Sequence, residues 1–134
     1  MELKTLLEAA RRAHRQAYAP YSRFPVGAAV VGTSGKIYTG ANVENASYGL
    51  TVCAERIAIF KAITAGESAL SAVAVVTSSG GSPCGACRQV MGEFATRDAL
   101  VIVGDTGGRV RRYPLQRMLP VPFSAAHLKR SRVR

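Results

Sequence analysis

All three cysteines of the chain lie in two short motifs. The first reads Thr-Val-Cys-Ala-Glu-Arg over residues 51–56, and the second reads Pro-Cys-Gly-Ala-Cys over residues 83–87. Three thiolates can occupy three of the four tetrahedral positions of a zinc ion and leave the fourth for water, which is the arrangement of a catalytic zinc site. The motifs therefore predict one zinc ion with Cys53, Cys84 and Cys87 as its protein ligands.

Each motif is also predicted to begin a helix. Cys84 and Cys87 are three residues apart, so in a first helical turn they lie on one face and can bind the same ion. Pro83 is placed where its missing N–H group costs little. Cys53 is expected at the start of another helix. Both helix N-termini would direct partial positive charge at the metal and favour the thiolate form of the cysteines.

Two neighbours of Cys53 have side chains suited to the same site. Glu55 lies two residues after Cys53, on a different side of the helix, so we expect it not to ligate the metal. It is placed instead to take a proton from the attacking water and return it to the substrate. Three thiolates give the site a net negative charge, and we expect Arg56 to offset it by hydrogen bonds to the sulfurs. From sequence alone, a surface salt bridge is an equally good interpretation of Arg56.

The cysteines have two other interpretations, a structural zinc site and a redox pair. A structural zinc site needs a fourth protein ligand, and the two histidines, His14 and His127, are both far from the cysteines in sequence. A redox pair formed by Cys84 and Cys87 would explain neither Cys53 nor the neighbouring glutamate. The sequence therefore favours a catalytic zinc.

The size of the chain predicts a single domain. With 134 residues, we expect one domain over residues 1–128, followed by a basic C-terminal tail over residues 129–134. No apolar run is long enough for a membrane helix, and the N-terminus does not have the pattern of a signal peptide. An odd number of cysteines in these motifs favours metal chemistry in a reducing compartment, so we expect a cytoplasmic protein.

The net charge of +10 raises the alternative of a nucleic-acid-binding protein. The positive residues are spread along the whole chain, and few aromatic residues are interleaved with them, although single-strand binding sites use aromatic side chains as stacking platforms. A solvated basic surface with a basic tail is the favoured interpretation.

The order of predicted elements is typical of an α/β fold. We expect a helix over 2–17, a loop over 18–25, a hairpin of strands at 26–31 and 37–39, a helix over 53–65, a strand over 72–76, a helix from about 84, a strand over 100–103 and a short strand near 110–113. Helix 53–65 carries apolar side chains around almost its whole circumference. A neighbouring subunit is therefore expected to cover part of it, which predicts a homo-oligomer.

At this point the chain resembles the small, homotetrameric family of zinc-dependent cytidine deaminases. The residues that carry the resemblance lie in five segments, 18–29, 42–50, 53–56, 83–90 and 119–123, and the Cys-x-Glu and Pro-Cys-x-x-Cys elements are typical of zinc nucleobase deaminases. The resemblance implies a three-layer α/β/α sandwich with a five-stranded mixed sheet. It also implies hydrolysis of cytidine and deoxycytidine to uridine and deoxyuridine with release of ammonia, a reaction of pyrimidine salvage.

The resemblance further implies roles for individual residues. Cys53, Cys84 and Cys87 would hold one zinc per subunit, Glu55 would shuttle protons, and the backbone of Ala54 would help to hold the pyrimidine. Phe24 would pack on the base, Asn42 and Glu44 would bind the ribose 3′-hydroxyl, and Ala46, Tyr48 and Phe123 would reach into a neighbouring subunit's site. Taken alone, the segment containing Asn42 could equally be a helix-capping loop. The segment Ala126-His127-Leu128 departs from the family pattern, which often has an acidic residue there.

Two alternative functions remain open at this stage. A related deaminase acting on another cytosine nucleoside, such as blasticidin S, would share the zinc motifs, although Asn42 and Glu44 favour cytidine. A nucleic-acid-editing or nucleic-acid-binding protein would use the positive charge, and its binding would weaken steeply with added salt.

Overall fold

The computed structural model of the protein describes residues 2 to 128. Its helices and strands are α1 (Leu3–His14), β1 (Gly27–Gly32), β2 (Ile37–Ala41), α2 (Ala54–Thr64), β3 (Leu70–Thr77), α3 (Gly85–Phe94), β4 (Ala95–Asp105), β5 (Val110–Pro114) and α4 (Leu115–Met118). The predicted basic tail, residues 129–134, lies outside the described residues. None of the described helices is long and apolar enough to cross a lipid bilayer.

The five strands form one mixed sheet in the order β2-β1-β3-β4-β5. β1 runs antiparallel to β2 and β3, β3 runs parallel to β4, and β4 runs antiparallel to β5. The inner strands are the ones with nearly continuous runs of small apolar residues, and every residue of β1 is buried. Strands with such sequences need cover on both faces of the sheet.

Helices supply that cover on both sides. On one face, Leu6 and Leu7 of α1 pack against a layer of sheet residues, which are Ala29, Val31, Ala72, Ala74, Val76 and Ile102. On the other face, α2 and α3 pack against the alternate residues of the same strands, Ala28, Val30, Val73, Val75, Val101 and Val103. The two faces follow the period of two that side chains have along a strand. The predicted three-layer α/β/α sandwich with a five-stranded mixed sheet is confirmed.

Two elements differ from the predictions by three residues or more at one end. The first helix ends at His14 instead of continuing to 17, because the Tyr18 N–H donates to the Asn42 carbonyl at 2.9 Å and draws the chain into the loop. The strand expected at 100–103 spans Ala95–Asp105. Its first residues pair with β3 through Ala95 and Leu70, but they include polar, exposed side chains that give no apolar signal in the sequence.

Helix α2 lies very close to strand β2 at Gly40. A Cβ atom at this position would be 2.6 Å from the Ala54 carbonyl oxygen and 2.7 Å from the Ala58 nitrogen, which leaves no room for a side chain. Gly40 therefore allows the first turn of α2, which follows Cys53 directly, to lie against the sheet.

One side of α2 is not covered by the described part of the chain. Phe60 is 44% exposed, and Ile57 and Ile63 are only partly buried. An apolar helix with an open side is compatible with the homo-oligomer expected from the sequence, which stays a prediction.

Candidate metal centre and active site

The three cysteines meet where helices α2 and α3 begin. Cys53 is the residue before α2, Cys84 is the residue before α3, and Cys87 lies in the first turn of α3. Their three Sγ atoms all lie within 4.8 Å of one another. The prediction that both helices direct their N-terminal ends at one point therefore agrees with the geometry.

The cysteine cluster fits a zinc ion. Zinc–sulfur bonds of about 2.3 Å place the sulfurs of a tetrahedral site roughly 3.8 Å apart, and a cluster whose sulfurs all lie within 4.8 Å of one another can take up that geometry with small movements. Among residues 2 to 128, no histidine or carboxylate oxygen joins the group, so these residues supply three ligands. Three protein ligands and one free position are the donor set of a catalytic zinc site and not of a structural one.

Charged groups around the sulfurs favour a thiolate at Cys53. The pKa of the Cys53 thiol is lowered to about 5, chiefly by a hydrogen bond from the Cys87 thiol and further by Arg56, against the opposing effect of burial. The pKa of the Cys87 thiol is raised, because it donates to Cys53 and is buried. The Arg56 Nη2 group donates to the Cys53 Sγ atom at 3.3 Å. Cys53 is thus prepared to bind a cation.

Glu55 is buried beside the sulfurs. Its side chain is 5% exposed, and burial raises the pKa of its carboxyl group, with a further contribution from the charge of Cys53. A raised pKa makes a carboxylate a better proton acceptor than an exposed one, which suits a group that must accept a proton and then release it. Glu55 lines the same cavity as Cys53 and Cys84.

That cavity has a volume of about 260 Å³ and opens above the cysteines. Its walls bring together residues from four parts of the chain besides the cysteine motifs, which are Phe24 of the first loop, Asn42 and Glu44 after β2, Val75 and Thr77 of β3, and Gly81 and Ser82 before α3. An aromatic ring, a carboxylate and an amide around an apolar space suit a flat, polar-edged ligand.

Asn42 and Glu44 also hold the loop that carries Phe24. The Asn42 Oδ1 atom accepts from the Val26 N–H at 2.8 Å, and its Nδ2 group donates to the Phe24 carbonyl at 3.0 Å. The Glu44 carboxylate accepts from the backbone N–H groups of Tyr21 and Ser22 at 2.9 and 3.0 Å. Its pKa is lowered chiefly by a hydrogen bond from the Ser22 hydroxyl and further by these backbone hydrogen bonds. The loop is therefore fixed by the two residues expected to contact a sugar.

Comparison with known proteins agrees with this geometry. The family model of the cytidine and deoxycytidylate deaminase zinc-binding region matches residues 1–103. The chain belongs to this family. It is 43% identical over 130 residues to a cytidine deaminase of Sporosarcina psychrophila, with 96% of both proteins covered. It is also 43% identical over 125 residues to the cytidine deaminase of Mycobacterium tuberculosis, with 92% of this chain and 90% of that protein covered.

A solved structure shows the same deaminase fold. The crystal structure of a cytidine deaminase from Burkholderia pseudomallei is 48% identical in sequence and superimposes with a TM-score of 0.87, covering 92% of this chain and 100% of that one. The resemblance to cytidine deaminases inferred from the sequence is confirmed, and so is zinc as the cofactor. The roles of individual residues stay predictions.

Three residues that the deaminase resemblance assigned to a neighbouring subunit's site lie outside this chain's own cavity. Ala46 and Tyr48 are exposed in the segment after β2, Tyr48 to 73%, and Phe123 is 58% exposed near the C-terminus. The side chain of Ala54 is fully buried in the core, so only its backbone could contact a ligand. The assignment of Ala46, Tyr48 and Phe123 to another subunit is compatible with these positions.

Sequence reasoning assigned no role in the site to seven residues that line the deaminase cavity, which are Ser22, Val26, Thr51, Val75, Thr77, Gly81 and Ser82. Thr77 ends a strand that runs parallel to its neighbour, and ligands of open α/β sheets often bind at this end of parallel strands, so this position could have been inferred. Its Oγ1 atom accepts from the Gly81 N–H at 2.9 Å and shapes the loop before α3. Ser22 gave no signal of its own in the sequence.

Proposed function

We propose that this deaminase hydrolyses cytidine and deoxycytidine to uridine and deoxyuridine with release of ammonia, as part of pyrimidine salvage in the cytoplasm. The observation that carries the proposal is the convergence of three cysteine sulfurs within 4.8 Å at a cavity that also contains Glu55, Phe24 and Glu44. The relatives that cover nearly the whole chain are named cytidine deaminases.

Proton transfer in this reaction is assigned to Glu55. Zinc held by these cysteines would supply Lewis-acid chemistry that lowers the pKa of water, so that hydroxide is available near neutral pH. Glu55 accepts a proton from the attacking water and gives it to the adjacent ring nitrogen. It then takes the remaining proton of the added hydroxyl group and gives it to the leaving amine. Its burial raises its pKa, which favours the acid form that must protonate the leaving amine.

Arg56 is assigned to the charge balance of the sulfurs. Three thiolates around a dication leave a net negative charge, which opposes the activation of water. The guanidinium group of Arg56 donates to Cys53 Sγ and withdraws part of that charge. This arrangement supports the thiolate interpretation of Arg56 over a surface salt bridge.

Nucleoside binding is assigned to Phe24, Asn42, Glu44 and the backbone of Ala54. An aromatic face suits a flat base, and an amide and a carboxylate are natural partners of a sugar hydroxyl. Asn42 uses one of its two amide hydrogens and one of its two oxygen lone pairs to hold the Phe24 loop. The remaining hydrogen and lone pair are left for a ribose 3′-hydroxyl.

The active enzyme is proposed to be a homotetramer with shared active sites. Ala46, Tyr48 and Phe123 would each complete the cavity of a neighbouring subunit. Two features support this assembly: the open apolar side of α2 at Phe60 and the exposure of Tyr48 and Phe123, which are large aromatic residues outside their own cavity.

The proposal is tested by offering the purified protein four substrates side by side: cytidine, deoxycytidine, blasticidin S and a cytosine-containing oligonucleotide. We expect ammonia release with the first two and little dependence on salt, since a free nucleoside carries no phosphate to release counterions. Preference for blasticidin S would overturn the substrate assignment. Salt-sensitive deamination of the oligonucleotide alone would instead favour a nucleic-acid-editing enzyme.

A further inference from the structure

Two residues directly after the metal ligand Cys87 reach the C-terminal part of the chain. The Arg88 Nη1 group donates to the Met118 carbonyl at 3.2 Å, and the Gln89 Nε2 group donates to the Phe123 carbonyl at 2.7 Å. The segment from Leu119 to Ser124 has no helix or strand of its own. These two hydrogen bonds therefore tie the end of α4 and the irregular segment after it to α3, the helix that contains Cys87.

The ring of Phe123 is held as well as its backbone. It stacks on the His127 ring, with the ring centroids 5.5 Å apart and the planes inclined by 23°. His127 is itself fixed by its Nδ1 atom, which accepts from the Ser124 N–H at 3.0 Å. Phe123 nevertheless remains 58% exposed. An exposed aromatic side chain whose conformation is already fixed loses little entropy when it enters a binding site.

We infer that Gln89 is a positioning residue for the active site of a neighbouring subunit, because its hydrogen bond fixes where Phe123 enters that site. The inference rests on the proposed function, in which Phe123 completes a neighbour's cavity. Phe123 does not line the cavity of its own chain, so a displaced Phe123 affects only another subunit. Helix α3 would then hold the metal ligand Cys87 in the active site of its own subunit. Through Gln89 it would also position the Phe123 ring in the active site of a neighbouring subunit.

The first test replaces the amide donor without changing the length of the side chain. In Gln89→Met we expect KM for cytidine to rise about threefold to tenfold, the effect of one lost hydrogen bond, with kcat and zinc content unchanged. Gln89→Lys retains a donor of similar reach and should keep KM near that of the unsubstituted protein. A matched control is Gln116→Met, which loses the same kind of bond, from Gln116 Nε2 to the Arg97 carbonyl at 3.1 Å, and should leave KM unchanged.

The second test determines whether Gln89→Met affects the active site of its own subunit or that of a neighbouring subunit. Gln89→Met subunits are co-assembled with an excess of Glu55→Gln subunits, whose own sites are inactive but whose Phe123 segments are intact. Only the Gln89→Met subunits then have working active sites, and most of these sites receive Phe123 from a Glu55→Gln subunit in which Gln89 is intact. We therefore expect KM to return towards that of the unsubstituted protein. A KM that stays high in the mixture would place the effect within one subunit and overturn the inference.

A further variant separates this inference from the proposed function. If Phe123→Ala leaves KM unchanged, the shared-site part of the proposed function is wrong and the inference falls with it. If Phe123→Ala raises KM but Gln89→Met behaves like Gln116→Met, only the inference is wrong. If Gln89→Met does not fold, Gln89→Asn takes its place, because it keeps the amide but cannot reach the Phe123 carbonyl. The same threefold to tenfold rise in KM is then expected.

Discussion

Glu55 is a carboxylic acid withdrawn from water beside three thiols. We expect Glu55→Gln to bind zinc as tightly as the unsubstituted protein, because Glu55 is not part of the sulfur cluster. Turnover of cytidine should fall at least about a hundredfold, the lower end of what general acid–base catalysis contributes. Metal content by elemental analysis and ammonia release measure the two quantities.

The control for that substitution is Glu93→Gln on the exposed side of α3, which removes the same charge away from the cavity and should leave turnover unchanged. Near-normal turnover of Glu55→Gln would remove Glu55 from the mechanism.

Arg56 contacts the cluster through the hydrogen bond from its Nη2 group to Cys53 Sγ at 3.3 Å. Removing its charge in Arg56→Ala should lower zinc affinity or turnover by about 10- to 100-fold, as for other groups that support metal ligands. Competition with a chelator measures the affinity. Arg97→Ala removes an exposed guanidinium of β4 and should change neither quantity. An Arg56→Ala protein with unchanged affinity and turnover would restore the salt-bridge interpretation.

The residues of the site differ in how far the sequence predicts them. The cysteines were found because metal ligands must be a particular residue type at a short, fixed spacing, and Glu55 was found because it is a carboxylate two residues from one of them. Ser22 was missed because its role depends on Glu44, which lies 22 residues away, and nothing local marks such a contact. The hydrogen bonds by which Asn42 holds the Phe24 loop could not be inferred from the sequence for the same reason.

At the scale of elements, the approach of α2 to β2 positions the cysteine cluster. Gly40→Ala should lower the free energy of unfolding by about 1–3 kcal/mol, the usual effect of overpacking, because its new Cβ would meet the backbone of Ala54 and Ala58. Urea unfolding of the metal-free proteins measures this. Gly49→Ala places a Cβ where no atom lies within 4 Å and should be nearly neutral. An equal effect of both substitutions would contradict the explanation.

Glu67 joins the β1–β2 hairpin to the connection after α2. Its carboxylate accepts from the Ser34 hydroxyl at 2.5 Å and from the Tyr38 hydroxyl at 2.7 Å, and these hydrogen bonds lower its pKa, the one from Ser34 most. A lowered pKa in the folded state stabilises the protein above the unfolded-state value of about 4.3. This contribution is lost as the pH falls through the lower, folded-state value.

We therefore expect Glu67→Gln to be less stable than the unsubstituted protein at neutral pH, and the difference to shrink as the pH falls below about 4.3. Urea unfolding of both metal-free proteins over this range measures the difference. Glu8→Gln is the control, because Glu8 makes only a surface pair with Arg11 at 3.9 Å, which contributes little. A difference that does not depend on pH would contradict the role of the Glu67 charge.

Periodicity predicted most elements because each is packed on a clear face. The apolar stripe containing Leu6, Leu7 and Ala10 predicted α1, and the apolar run around Val73 and Val75 predicted a strand covered on both faces. The start of β4 could not be inferred, since its pairing with β3 begins at Ala95, before the apolar run. Which elements lie side by side also followed from the family resemblance more than from periodicity.

For the whole molecule, the open side of α2 is the expected contact between subunits. Phe60→Lys places a charge on that side and should reduce the size of the assembly, because a desolvated, unpaired charge opposes association. Light scattering after size-exclusion chromatography measures the mass. Val110→Lys is a matched control, since Val110 is also 44% exposed but lies on the edge strand β5. An assembly whose mass withstands Phe60→Lys would place the interface elsewhere.

The position of the three cysteines at the starts of α2 and α3 has one more consequence. The whole of β3 lies between Cys53 and Cys84 in the chain, so an ion shared by their sulfurs closes a long loop, as a disulfide would, and restricts the unfolded chain. Unlike a disulfide, this cross-link is removed by a chelator. Once the ion is removed, the amide protons in the first turns of α2 and α3 should exchange faster with solvent, while those in the middle of β3 stay protected by the neighbouring strands.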